Sequence, residues 1–165
     1  MKRVAGIYEK CIWFITILMI VAAAVVTLPK FVGIQPYIIL SSSMEPTIQT
    51  GSLVFVNTRD KQVADGDITT FTMTNGKDEI TVTHRIVEAT DEGFVTKGDN
   101  NEVEDLNILT ADRIVGKYVM SIPYAGYVMS KVTRKVIIVV IAWLFGLHAF
   151  GFVLDTIAED DNDKE

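Results

Sequence analysis

Residues 67–97, DITTFTMTNGKDEITVTHRIVEATDEGFVTK, decide how this chain folds. Isoleucine, valine, threonine and phenylalanine recur with period two through 67–74 and 79–90, and a shorter run of the same kind follows at 93–97. Alternation of β-branched and aromatic residues with polar ones marks half-buried strands. Turn formers separate the runs: Asp65-Gly66-Asp67, then Thr74-Asn75-Gly76-Lys77, then Asp91-Glu92-Gly93. Asn-Gly favours the positive φ angles of a two-residue hairpin, so 67–74 and 79–90 are expected to pair across Asn75-Gly76.

The same pattern extends outward to 52–57 (SLVFVN) and 113–121 (RIVGKYVMS). Residues 30–40 (KFVGIQPYIIL) are apolar and carry Pro36. They read as a first strand facing the core, or as Phe31, Val32 and Ile34 resting on lipid while Tyr37 to Leu40 present an edge to an extended peptide. Both readings can hold, for different residues. With no internal repeat, the 106 residues from 30 to 135 give one compact, mainly antiparallel β domain.

Two apolar runs flank that domain. Residues 11–28 (CIWFITILMIVAAAVVTL) and 136–154 (VIIVVIAWLFGLHAFGFVL) carry no charge over 18 and 19 positions, close to the roughly 20 residues a helix needs to cross a bilayer. The expected organisation is a cytoplasmic 1–10, a transmembrane helix over 11–29, the β domain over 30–135, a second transmembrane helix over 136–154, and an acidic disordered tail over 155–165. Lys2, Arg3 and Lys10 precede the first span, which by the positive-inside tendency places the β domain outside the cytoplasm. Lys131, Arg134 and Lys135 before the second span pull against that orientation. A cleaved secretory signal competes for residues 1–28, since Ala22-Ala23-Ala24 offers a cleavage-like pattern, but the apolar run continues to Leu28 as in an uncleaved anchor. His148 lies within the second span with no acidic partner in either span, which favours a packing or interfacial role. Gly146 and Gly151 suit close helix contact.

A net charge of −6 leaves no basic face for nucleic acid. The single cysteine, Cys11, excludes an intrachain disulfide and a cysteine-based metal cluster.

The stretch with the most reactive composition is Ser41-Ser42-Ser43-Met44-Glu45-Pro46-Thr47. Consecutive hydroxyls are usually loop residues, and a serine becomes a nucleophile only beside a base. With His148 at membrane depth, His84 is the one imidazole left for a water-side site. Alternation puts it on a strand face with Ile80, Val82 and Ile86. A neutral imidazole there can take a proton from a hydroxyl, or can be a structural core histidine. A base also needs a carboxylate to fix its tautomer, and the loop from Lys97 to Asp105 offers Asp99, Glu102, Glu104 and Asp105 without distinguishing them. Arg85, on the opposite face, is either solvated or paired with an acid of that loop. The loop's acidic spacing does not match an EF-hand.

Together SSSMEPT, GSLVFVN, DGDITTF, VTHRIV and TKGDNNEVED, in this order between two apolar spans, resemble type I signal peptidase of the serine-histidine subgroup, peptidase family S26. That subgroup occurs in the endoplasmic reticulum, in archaea and, as SipW-like enzymes, in some Gram-positive bacteria. The resemblance covers residues 30 to about 121. It implies Ser43, directly before Met-x-Pro, as nucleophile and His84 as general base. It implies Asp105 as the closest match to the acid, with Asp99 of the Gly98-Asp99 pair also important. Ser41 matches the hydroxyl that joins the Ser43 amide in binding the oxyanion. Ser42 stands where the family often has glycine, and a positive φ there would strain serine.

The implied function is a membrane-bound serine endopeptidase that removes signal peptides from exported preproteins after small residues, using no metal or organic cofactor. Its partners are preprotein signal peptides and the lipid bilayer, with no nucleic acid and with any partner subunits unidentified. The implied location is the cell membrane of a Gram-positive bacterium or archaeon, with the catalytic domain on the extracytoplasmic side. Ser43 follows Pro29 by 14 residues, so even an extended chain carries it no more than about 50 Å from the membrane exit. That tether suits a scissile bond emerging from the bilayer. Two other readings stand beside it. One is a membrane peptidase acting on pilin-like or regulatory substrates; the other is a two-span β-domain protein that binds extended peptides or assembles an envelope complex without catalysis.

Overall fold

The computed structural model describes residues 2–75 and 78–160, which divide into two compact units. The first is built on residues 28–131 and carries an antiparallel sheet. Its strands are β1 (Ile34–Ile38), β2 (Leu53–Asn57), β3 (Ile68–Asn75), β4 (Asp78–Thr90), β5 (Gly93–Lys97) and β6 (Ile114–Ile122), in the spatial order β1-β2-β6-β3-β4-β5. The mainly β, antiparallel expectation holds, and each run singled out by its alternation lies on one of these strands to within a residue or two. β3 and β4 pair as expected, with Ile68 opposite Arg85 and Asn75 opposite Asp78. Gly76 and Lys77 of the expected hairpin turn lie outside the described residues.

Residues 30–40 are not one strand. Leu28–Val32 form a 3-10 turn with Phe31 78% exposed, whereas Ile34–Ile38 pair with β2. β1 is an edge strand, which explains how it tolerates Pro36: a proline has no N–H to donate to a second neighbour. A short helix, α2 (Ala125–Lys131), follows β6 and has no counterpart in the sequence reading, because seven residues are too few for a helical period to show.

Two apolar clusters hold the sheet. Ile39, Met44, Ile48, Val54, Val56 and Ile68 form one; Phe71, Ile86, Leu109 and Ile114 form the other. Met44, fully buried, is the reason the serine-rich segment is not a free loop: its side chain pins the residue after Ser43 into the core.

The second unit comprises α1 (Lys2–Thr27) and α3 (Arg134–Asp160), both long and apolar enough to cross a membrane. α3 takes in Asp155–Asp160, the first part of the tail expected to be disordered. Ala158 and Glu159 are good helix formers, so the ladder of α3 continues past the apolar run. Residues 161–165 lie outside the described residues. Packing between the helices confirms the reading of His148: its Nε2 lies 3.1 Å from Thr16 Oγ1 and its ring packs edge-on against Trp13. Thr16 gives its only proton to the Ile12 carbonyl (2.9 Å), so it accepts from His148 Nε2–H. Gly151 faces Tyr8, where an added Cβ would sit 3.4 Å from the ring; a Cβ added at Gly146 would meet none of the described residues outside its own turn of helix within 4 Å.

Candidate active site

Three polar side chains converge at the centre of β4. His84, opposite Thr69 of β3, is 8% exposed, with its ring edge-on to Phe71 at 6.3 Å between centroids. Its Nδ1 lies 2.7 Å from Asp105 Oδ2, and its Nε2 lies 3.1 Å from Ser43 Oγ. A carboxylate only accepts, so the imidazole proton sits on Nδ1. The Nε2 lone pair is then free to accept the Ser43 hydroxyl proton. With that proton directed at His84, the 3.2 Å contact between Ser41 and Ser43 is made by the Ser41 hydroxyl donating to Ser43 Oγ.

The segment after Ser43 is held by its own hydrogen bonds. Ile48 N–H donates to the Met44 carbonyl, and Glu45 Oε1 accepts from both the Thr50 N–H and the Thr50 hydroxyl. Those two bonds hold the Glu45 carboxyl below the usual carboxylate range. Ser42 is not among the residues with positive φ, so the replacement of glycine there carries no strain.

Asp99 and Asp105, which the sequence left as alternatives, have different partners. Asp105 faces His84, and Thr96 donates its hydroxyl to Asp105 Oδ2 at 2.5 Å. Asp99 binds Arg85 in a two-point fork, with Nε to Oδ1 at 2.8 Å and Nη2 to Oδ2 at 2.6 Å. Of the two readings of Arg85, pairing with an acid of the loop is the one that the structure shows. Glu102 and Glu104 are exposed and make no side-chain bond to His84 among the described residues.

Asp99 belongs to a turn that braces Ser43. Asn100 N–H donates to the Ser43 carbonyl at 2.8 Å, and a Cβ at Gly98 would lie 2.6 Å from that same oxygen. Residue 98 must be glycine for the turn to close on Ser43. Of these supports, Thr96 escaped the sequence reading, and Gly98 entered it only as part of the Gly98-Asp99 pair. The glycine directly before Asp99 was a usable signal, whereas one threonine among many in the strands carries none.

Arg85 beside Asp99 holds that carboxyl below its ordinary value, with a hydrogen bond from Thr47 adding to the effect. A depressed folded-state value stabilises the fold above the unfolded value of about 4. The contribution is lost as pH falls through the folded value. Asp99→Asn is expected to cost about 1–3 kcal/mol at neutral pH. Denaturant unfolding as a function of pH would show it, with the gap between wild type and variant narrowing below about pH 4.

Comparison with known proteins bears on this site. Residues 11–92 match the family model described as signal peptidase, peptidase S26. The chain belongs to that family. Among its relatives, the signal peptidase complex catalytic subunit SEC11 of Pyricularia oryzae is 36% identical over 104 residues, 55% of this chain and 59% of that protein. SEC11 of Candida albicans is 32% identical over 111 residues, 60% of this chain and 66% of that protein. SEC11C of Canis lupus familiaris is 38% identical over 104 residues, covering 55% and 53% respectively. The chain thus spans between about half and two thirds of the length of these relatives. They are fungal and mammalian proteins and lend no support to a Gram-positive or archaeal cell membrane. Membership of the S26 family and the two apolar helices make this a membrane-associated chain.

Proposed function

We propose that this chain is a membrane-bound serine endopeptidase of the signal peptidase I type, with Ser43 as nucleophile, His84 as general base and Asp105 as the acid that orients it. The alignment of Ser43 Oγ, His84 and Asp105 through contacts of 3.1 and 2.7 Å carries the reading. Ser43 Oγ attacks the scissile carbonyl carbon while its proton passes to His84 Nε2. The Asp105 carboxylate stabilises the resulting imidazolium. The Ser41 hydroxyl and the Ser43 N–H hold the oxyanion. His84 then delivers its proton to the leaving amine as the C–N bond breaks. Water, activated by the same imidazole, hydrolyses the ester on Ser43.

The substrate reading rests on the space beside that serine. A cavity of about 420 Å³ runs along Tyr37–Ser41, where the chain leaves β1, and along Ile80–His84 of β4. Leu40, Met73, Ile80 and Val82 give it apolar walls. An extended peptide laid between two strand segments gains main-chain hydrogen bonds, and its alternate side chains enter such walls. Preprotein signal peptides, with small residues before the cut, have this form. A non-catalytic peptide-binding domain would have no use for a serine aligned on a base and an acid.

The proposal includes anchorage through residues 11–29 and 136–154, with the β domain on the extracytoplasmic side by the charge of the N-terminus. The relatives' description as catalytic subunits of a complex extends it to companion subunits. The test is the full chain reconstituted in lipid with a precursor carrying an intact signal, the cut located by sequencing the product. Cleavage after small residues is expected, and a cut elsewhere or none opposes the reading. In the same assay Ser41→Ala is expected to lower kcat by on the order of a hundredfold, the usual effect of removing one oxyanion donor.

A further inference from the structure

Asp105 lies in a loop that gives it little support of its own. Its neighbours Glu104 and Leu106 are exposed, Leu106 completely, and the segment carries no strand. Yet the acid that orients His84 must hold its carboxylate to within about half an ångström of the position that meets Nδ1. The required rigidity comes from β5. Thr96, 1% exposed and opposite Ile86 of β4, holds Asp105 at two points. Its carbonyl accepts the Asp105 N–H at 2.8 Å, and its hydroxyl donates to Asp105 Oδ2 at 2.5 Å. The second bond falls on the same oxygen that faces His84 Nδ1. Two donors from fixed strands, one on β4 and one on β5, therefore set the position and plane of the carboxylate.

We propose that Thr96 is a positioning residue of the site, its buried hydroxyl locking the Asp105 carboxylate in the orientation that His84 requires. The inference rests on the proposed triad and adds to it a fourth member that never touches substrate. The backbone bond from Asp105 to Thr96 is independent of side-chain identity, so the hydroxyl can be tested apart from the fold. Valine keeps the shape and β-branching of threonine and removes only the hydroxyl; serine keeps the hydroxyl and removes the methyl.

The experiment is precursor cleavage by the reconstituted full chain carrying Thr96→Val, Thr96→Ser, or either Asp105→Ala or the Asp105→Ala/Thr96→Val pair. Thr96→Val is expected to lower kcat by on the order of 10- to 100-fold, the worth of a hydrogen bond to a charged group, with KM unchanged. Thr96→Ser should recover activity to within a few fold of wild type, because the donor is restored. In the Asp105→Ala background Thr96→Val should add nothing, since its effect passes through the carboxylate. Equal losses from valine and serine would overturn the proposal, as would a full valine effect on top of Asp105→Ala. Ser43→Ala, run alongside, separates the two levels. Cleavage that survives Ser43→Ala refutes the triad itself, while cleavage that needs Ser43 but ignores Thr96→Val refutes only the role of Thr96.

Discussion

His84→Ala is expected to reduce kcat for precursor cleavage by about a millionfold, and adding Ser43→Ala to it should cost almost nothing more. The magnitude follows from the hydrogen-bond order at the site. Ser43 offers its proton to a single base, at 3.1 Å, and a serine hydroxyl without a base is a weak nucleophile. No second imidazole lies within the β unit, whose only histidine is His84. Residues that act as one unit are not additive, so the double variant should match the single ones. Additive losses would mean that Ser43 and His84 serve separate steps. Single-turnover kinetics would keep product release from masking the comparison.

The second large effect belongs to Asp105. Asp105→Asn should lower kcat by about 10⁴-fold with little change in KM. An amide in place of the carboxylate can donate to Nδ1, which favours the tautomer carrying its proton on Nε2. Nε2 then faces Ser43 as a donor and cannot take its proton. Asp99→Asn should behave differently, because Asp99 contacts Arg85 and not the imidazole. Its main cost is in stability, with an acid limit set by the depressed Asp99 carboxyl. Measuring both variants for unfolding free energy and for kcat separates an orienting acid from a bracing one. A larger kcat loss at Asp99 than at Asp105 would reverse the assignment.

How much of this was legible in the sequence depended on whether the signal was local. Strand periodicity is local, so three strands and the pairing of the first two were legible in 67–97. The serine and the histidine were also within reach, because a β domain with one histidine leaves one candidate base. Composition did not separate Asp99 from Asp105, since both lie in one acidic loop; the family resemblance favoured Asp105, and the loop's path along β5 brings that carboxylate to His84. Thr96 was hidden for the same reason: its role comes from a bond to a residue nine positions away, in a strand where threonine is common. The disorder expected from Asp155 onward does not hold for Asp155–Asp160, because apolar content marks where a span ends, not where helical hydrogen bonding ends.

If Ser43 is the attacking group, cleavage cannot proceed without its hydroxyl. The most direct measurement is the single-turnover cleavage rate of one precursor by reconstituted wild-type and Ser43→Ala chains at equal folded amounts. Wild type is expected to release the mature N-terminus after a small residue, and the variant to fall by about a millionfold, to the assay background. Cleavage by Ser43→Ala at the wild-type rate and at the same bond would contradict that role of Ser43.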